Sequence, residues 1–168
     1  VASINARDHG FLNFVKGNTD KDLVVSTGGT DLADIDHLVS FFDDRQLHIL
    51  QCTSAYPCPI EDIKLGNIVA LKRRYGANKR VHIGYSGHEV GYLPSVVAAL
   101  LGAEIIERHF CISRHSFVHH IECSLETEEF GEMVDSIRAV SPLPVCEMSD
   151  EEVRTGVIEG LDGLCIPY

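Results

Sequence analysis

Residues 81–110 read VHIGYSGHEVGYLPSVVAALLGAEIIERHF, and this stretch decides the fold. A short apolar run, Val81 to Tyr85, ends in Ser86-Gly87-His88. A helix-like segment from Gly91 to Leu101 follows and is closed by Gly102. A second apolar run, Ala103 to Ile106, ends in Glu107-Arg108-His109. Two strands joined by a helix are parallel, because such crossovers are right-handed and return the chain in the same direction. Each strand therefore delivers a histidine just past its C-terminal end. Both imidazoles fall on the rim where α/β folds bind ligands. Two neutral imidazoles suit a divalent metal with positions left open for substrate oxygens. Two unrelated loop histidines would leave the same local sequence.

The alternation extends outward from this unit. Val1 to Ile4 reads as a short strand, and His9 to Lys16 as a helix broken by Gly17-Asn18. Leu23 to Val25 is a buried strand followed by Ser26-Thr27-Gly28-Gly29. Small hydroxyls and glycines there can offer backbone N–H groups to a phosphate, or form a plain turn with Thr30 or Asp31 as helix cap. Leu32, Ile35, Leu38, Val39 and Phe42 share one helical face. Leu47 to Cys52 is the next strand, and Glu61 to Tyr75 the next helix, stopped by Gly76. Five strands are expected, ending near Asn5, Ser26, Thr53, Ser86 and Glu107, with a helix outside each of the first four. Beyond His109 the period is lost. His115, His119 and His120 lie in a rim loop, and Thr127 is expected to cap a last helix over Glu128 to Val140. Residues 1–140 form one unit. Residues 141–168 read as a Pro-containing linker and an acidic extension, with a short helix over Ser149 to Glu159.

Composition narrows the function. The chain has 168 residues and a formal charge of −11. Its one dense basic cluster, Lys72-Arg73-Arg74 with Lys79-Arg80, sits at a helix end, where cations complement the dipole. No nucleic-acid partner is expected. No run approaches the roughly 18 apolar residues of a membrane span, so no membrane partner is expected either. Six cysteines without a CxxC pair suggest no structural zinc site. Cys52, Cys111 and Cys123 adjoin apolar runs and read as reduced buried thiols of a cytoplasmic protein. The abrupt start at Val1-Ala2-Ser3, already strand-like, suggests a piece of something longer.

Several motifs together resemble the sialic acid synthases, which condense phosphoenolpyruvate with an N-acylhexosamine to a nonulosonic acid. The resemblance rests on Leu50-Gln51-Cys52-Thr53-Ser54-Ala55-Tyr56-Pro57, Pro59-Ile60-Glu61-Asp62-Ile63-Lys64-Leu65 and Ile83-Gly84-Tyr85-Ser86-Gly87-His88-Glu89. It continues through Leu101-Gly102-Ala103, Glu107-Arg108-His109-Phe110 and Ile121-Glu122-Cys123-Ser124-Leu125-Glu126. These fall in order across most of residues 1–140. The resemblance implies the last five strand–helix units of a (β/α)₈ TIM barrel. It implies that His88 and His109 hold Mn²⁺ or Mg²⁺ and act in catalysis. It places phosphoenolpyruvate on Ser3, Ser26, Ser54 and Ser86, and the acylhexosamine on Tyr56. The sequence also departs from the pattern. The catalytic position expected to hold a carboxylate is Asn5, the sugar-binding aspartate is His120, and the aspartate before the first metal histidine is Gly87. The first three strand–helix units and the antifreeze-like domain have no counterpart. Two functions follow: a metal-dependent synthase, or a degenerate half-barrel kept for binding or assembly. Cut strand edges and apolar inner positions among Val24, Ile49, Ile83 and Ile105 predict a homo-oligomer or a longer chain.

Overall fold

In a computed structural model the described residues are 1–141. Four strands, β1 (Leu23–Ser26), β2 (Leu47–Cys52), β3 (Val81–Gly87) and β4 (Ile106–Arg108), form one parallel sheet in sequential order. Helices α1 (His9–Asn18), α2 (Leu32–Phe41), α3 (Gly66–Tyr75), α4 (Leu93–Leu100) and α5 (Thr127–Val140) complete the unit. The crossover over residues 81–108 is as expected, and Gly102 ends its helix at φ 90°, where a side chain would be strained.

The sheet is curled. The Ser26 hydroxyl at the end of β1 donates to Glu107 Oε1 in β4 at 3.1 Å. Three flat strand spacings of about 4.8 Å would hold these edges about 14 Å apart, beyond the reach of two such side chains. Curling brings the carboxyl ends of the two edge strands together and makes a concave face.

Alternation along the strands sorts the residues between the two faces. Val25, Leu47, Ile49, Ile83 and Tyr85 join Ile35, Leu38, Ile68, Leu71 and Ala98 of the helices in one buried cluster. Each valine, leucine or isoleucine among them stabilises the fold by about 1.5–3 kcal/mol when fully buried. Ile49 and Ile83 were expected on the inner face. The register puts them on the helix side instead. The concave face takes Val24, His48, Leu50, Cys52, His82, Gly84, Ser86 and Glu107.

Other departures have local causes. The strand expected at Val1 to Ile4 is absent. Val1 alone pairs with β1, its carbonyl accepting from Ser26 N at 3.0 Å, and Ser3–Asn5 then winds into a 3₁₀ turn closed by Asn5 N to the Ala2 carbonyl. The helix expected from Glu61 is split. Ile60–Asp62 is a 3₁₀ turn, Lys64 adopts φ 55°, and α3 starts only at Gly66. Asp31 caps α2 in a reciprocal box with Asp34. The last helix is capped by Glu126 rather than Thr127, with the Glu129 carboxylate accepting from Glu126 N at 2.9 Å. The expected linker after Ser141 and the Ser149–Glu159 helix lie outside the described residues. No described helix is long and apolar enough to cross a membrane.

Candidate functional site

The carboxyl rim encloses a cavity of about 310 Å³ lined by Val1, Ala2, Ser3, Ser26, Tyr56, His88, Glu107, His109 and His120. Parallel strands place β-end residues there, so Ser26, Glu107, His88 and His109 arrive from three different strands or the loops just after them. The His88 and His109 ring centroids lie 5.2 Å apart. His88 Nδ1 is 2.9 Å from the Thr53 carbonyl, an acceptor. That contact makes Nδ1 the protonated nitrogen and leaves the Nε2 lone pair free. Burial, then His88 and His120, hold the His109 pKa below the ordinary imidazole value, so His109 is neutral at neutral pH.

The Tyr56 ring lies between His88 and His120, with centroids 4.1 and 4.0 Å away, and stands edge-on to His109 at 5.9 Å. His120 adopts φ 62°, a left-handed conformation that turns the loop at the start of the Ile121–Cys123 3₁₀ turn. Glu107 was not singled out in the sequence, yet it joins the serines. Ser86 Oγ donates to its Oε1 at 2.8 Å and Ser26 Oγ at 3.1 Å. Its signal was position: two residues before His109, it shares the concave face with Ser86.

The expected site residues divide. Ser3, Ser26, Tyr56, His88, His109 and His120 line the cavity. Ser86 reaches it through Glu107. Ser54 lines a second, larger cavity instead, and its hydroxyl, with Ser3 Oγ and Cys52 Sγ, occupies the space where Gly28 would carry a Cβ. Asn5 is not among the lining residues. Its backbone closes the 3₁₀ turn, and its carbonyl accepts from Asp8 N. Cys52 is buried 3.8 Å from His88 Nδ1, and burial pushes its pKa up, so it stays a thiol. Cys58, Cys111 and Cys123 are also buried and unpaired among the described residues.

Among the described residues no three His, Cys, Asp or Glu side chains converge as a metal cage. The donor set is two imidazoles, one with its tautomer set by a backbone carbonyl and one kept neutral by burial. Such a set fits a divalent cation that keeps open positions for oxygen ligands. A larger cavity of about 570 Å³ lies against α2 and α3, lined by Thr27, Gln51, Thr53, Lys64, Asn67 and Leu71 among others. It holds no histidine, and it takes Ser54 of the expected substrate-binding residues.

A NeuB family profile matches residues 1–144. The chain belongs to the NeuB family. It is 36% identical over 141 residues to a pseudaminic acid synthase of Campylobacter jejuni, covering 82% of this chain and 40% of that protein. It is 34% identical over 152 residues to an N-acetylneuraminate-9-phosphate synthase of Drosophila melanogaster, covering 83% and 40%. A crystal structure of an N-acetylneuraminic acid (sialic acid) synthetase from Leptospira borgpetersenii superposes with a TM-score of 0.77 at 27% identity, over 92% of this chain and 54% of that one. The chain thus spans about 40% of the length of these curated relatives. The α/β unit with its curled sheet is the partial barrel that the sequence resemblance implied, with four strands described rather than five.

Proposed function

We propose that this NeuB chain is the later part of a nonulosonic acid synthase barrel, joining phosphoenolpyruvate to an N-acylhexosamine with a divalent metal. The supporting observation is the His88–His109 pair, 5.2 Å apart in one rim cavity, with His88 Nε2 left free by the Thr53 carbonyl. His88 Nε2 and His109 would hold Mn²⁺ or Mg²⁺. The bound cation would polarise the sugar aldehyde.

The remaining groups have assignable roles. C3 of phosphoenolpyruvate attacks the aldehyde carbon, water adds at C2, and phosphate leaves. Ser3, Ser26, Ser54 and Ser86 supply hydroxyl donors to the phosphate and carboxylate. Ser26 and Ser86 now donate to Glu107, so an incoming anion competes with Glu107 for them. Asn5 cannot take up a proton near neutral pH. Glu107 is the one carboxylate lining the cavity among the described residues, so proton uptake falls to it. Tyr56 and His120, which both line the cavity with their rings 4.0 Å apart, contact the sugar.

The chain spans about 40% of the length of the curated relatives it matches. The test therefore uses the chain alone and the chain mixed with a polypeptide carrying the first strand–helix units of a NeuB relative. Phosphate release requiring phosphoenolpyruvate, N-acylhexosamine and Mn²⁺ together is the expected result, lost in Glu107→Gln. Binding of Mn²⁺ with phosphoenolpyruvate but no turnover in either form would favour the degenerate half-barrel, a reading that Asn5 supports. No binding of either would sink the synthase reading.

A further inference from the structure

We propose that the buried Arg108–Glu89 ion pair is a positioning device that sets the spacing of the rim imidazoles. The inference rests on the reading of His88 and His109 as the working pair. Arg108 Nη1 donates to Glu89 Oε1 at 2.8 Å, and both side chains are sealed from solvent, at 0% and 1% exposure. Each member is the chain neighbour of a rim histidine: Glu89 follows His88, and Arg108 precedes His109. A bond between them therefore ties the two histidine-bearing backbones directly.

The guanidinium does more than close that bond. Its Nη2 donates to the Glu89 carbonyl at 2.8 Å and to the Cys123 carbonyl at 3.2 Å, and its Nη1 to the Gly91 carbonyl at 2.8 Å. Cys123 closes the 3₁₀ turn that begins at His120, its N–H donating to the His120 carbonyl at 3.2 Å. One planar group thus holds the β3–α4 loop, β4 and the His120 turn in register. The two terminal nitrogens carry these bonds, while Nε is buried without a partner. A rigid fork is suited to this, and the three donors of lysine, on a flexible stem, are not.

The carboxylate is fixed as tightly. Tyr85 Oη donates to Glu89 Oε2 at 2.7 Å and Ser95 Oγ to Oε1 at 3.2 Å. A Cβ on Gly87 would stand 2.6 Å from Glu89 Oε2, 2.7 Å from Tyr85 Cε1 and 3.0 Å from Arg108 Cδ. Glycine immediately before His88 is what admits the Glu89 carboxylate to this space. Neither Glu89 nor Arg108 lines the rim cavity with its carboxylate or guanidinium bonds, so both act through the histidines.

The test uses the full chain with labelled histidine and the variants Arg108→Lys and Glu89→Gln. The wild type is expected to show nuclear Overhauser contacts between the His88 and His109 rings and to bind Co²⁺ with a visible absorption spectrum. A folded Arg108→Lys chain, judged by a dispersed amide spectrum, is expected to lose those ring contacts and to bind Co²⁺ at least about tenfold more weakly, as outer-shell partners of metal ligands do. Glu89→Gln provides the same readouts if Arg108→Lys does not fold. A folded variant that keeps the ring contacts and the Co²⁺ affinity overturns the proposal, and so does unfolding of both variants, which would assign the pair to stability alone. Ring contacts that depend on Arg108 in a chain that takes up no Co²⁺ would sink the metal reading and leave the positioning role standing.

Discussion

The concave face carries histidines at both ends, and they are used differently. At the rim, His88 engages one ring nitrogen with the Thr53 carbonyl and leaves the other to the cavity. At the opposite end, both nitrogens of His82 are engaged, Nδ1 with Glu104 Oε2 at 2.6 Å and Nε2 with Gln46 Oε1 at 3.0 Å. His48 stacks on His82 with ring centroids 4.8 Å apart, and its buried Nδ1 has no partner. The same side chain is thus a ligand candidate at one end and a strut at the other. The count of uncommitted ring nitrogens facing a cavity separates the two, because a metal ligand needs a free lone pair held in place from behind.

The largest expected effect comes from the rim scaffold. Arg108→Met leaves the Glu89 carboxylate buried without its partner, and breaking a buried pair in this way costs about 3–5 kcal/mol. Urea unfolding monitored by circular dichroism measures it. A loss under 1 kcal/mol would mean that the rim is no better held than the base. Gly87→Ala forces a methyl group against Glu89, Tyr85 and Arg108, and overpacking of this kind costs about 1–3 kcal/mol. The same unfolding experiment reads it, and a neutral result would show that the network has slack.

Exchanging the two ends sharpens the contrast. His88→Ala is expected to reduce Co²⁺ or Mn²⁺ affinity by more than tenfold. His82→Ala should leave metal affinity unchanged and cost about 1–2 kcal/mol of stability through its lost hydrogen bonds. Isothermal titration beside thermal melts distinguishes the two. Equal metal loss in both would dissolve the distinction.

The smallest effect is on pH dependence. Burial, then the neighbouring His82, holds the His48 pKa below its ordinary value, against the opposing pull of Asp22 and Glu104. The unfolded chain therefore takes up a proton on His48 more readily than the folded one. Below about pH 6.5 this favours unfolding, and above it the effect vanishes. His48→Gln should flatten the fall in melting temperature below about pH 6.5. An unchanged slope would place the acid sensitivity elsewhere.

The sequence by itself determined the strand–helix alternation, the parallel direction and the arrival of His88 and His109 at one rim. These follow from local periodicity and from the fixed hand of the crossover, and neither needs a distant contact. The motifs in residues 50–126 pointed to the family. Tertiary structure alone decided what depends on residues far apart in the chain. Whether Val1 to Ile4 is a strand depends on a pairing partner, and only Val1 finds one on β1. Which face Ile49 and Ile83 take depends on register, and one step of register exchanges helix side for concave side. Glu107 joins Ser26 only because the sheet curls, closing 81 residues of sequence separation to 3.1 Å. Arg108 became a clamp only when three loops were brought within reach of one guanidinium, an arrangement set by long-range packing rather than by any local pattern.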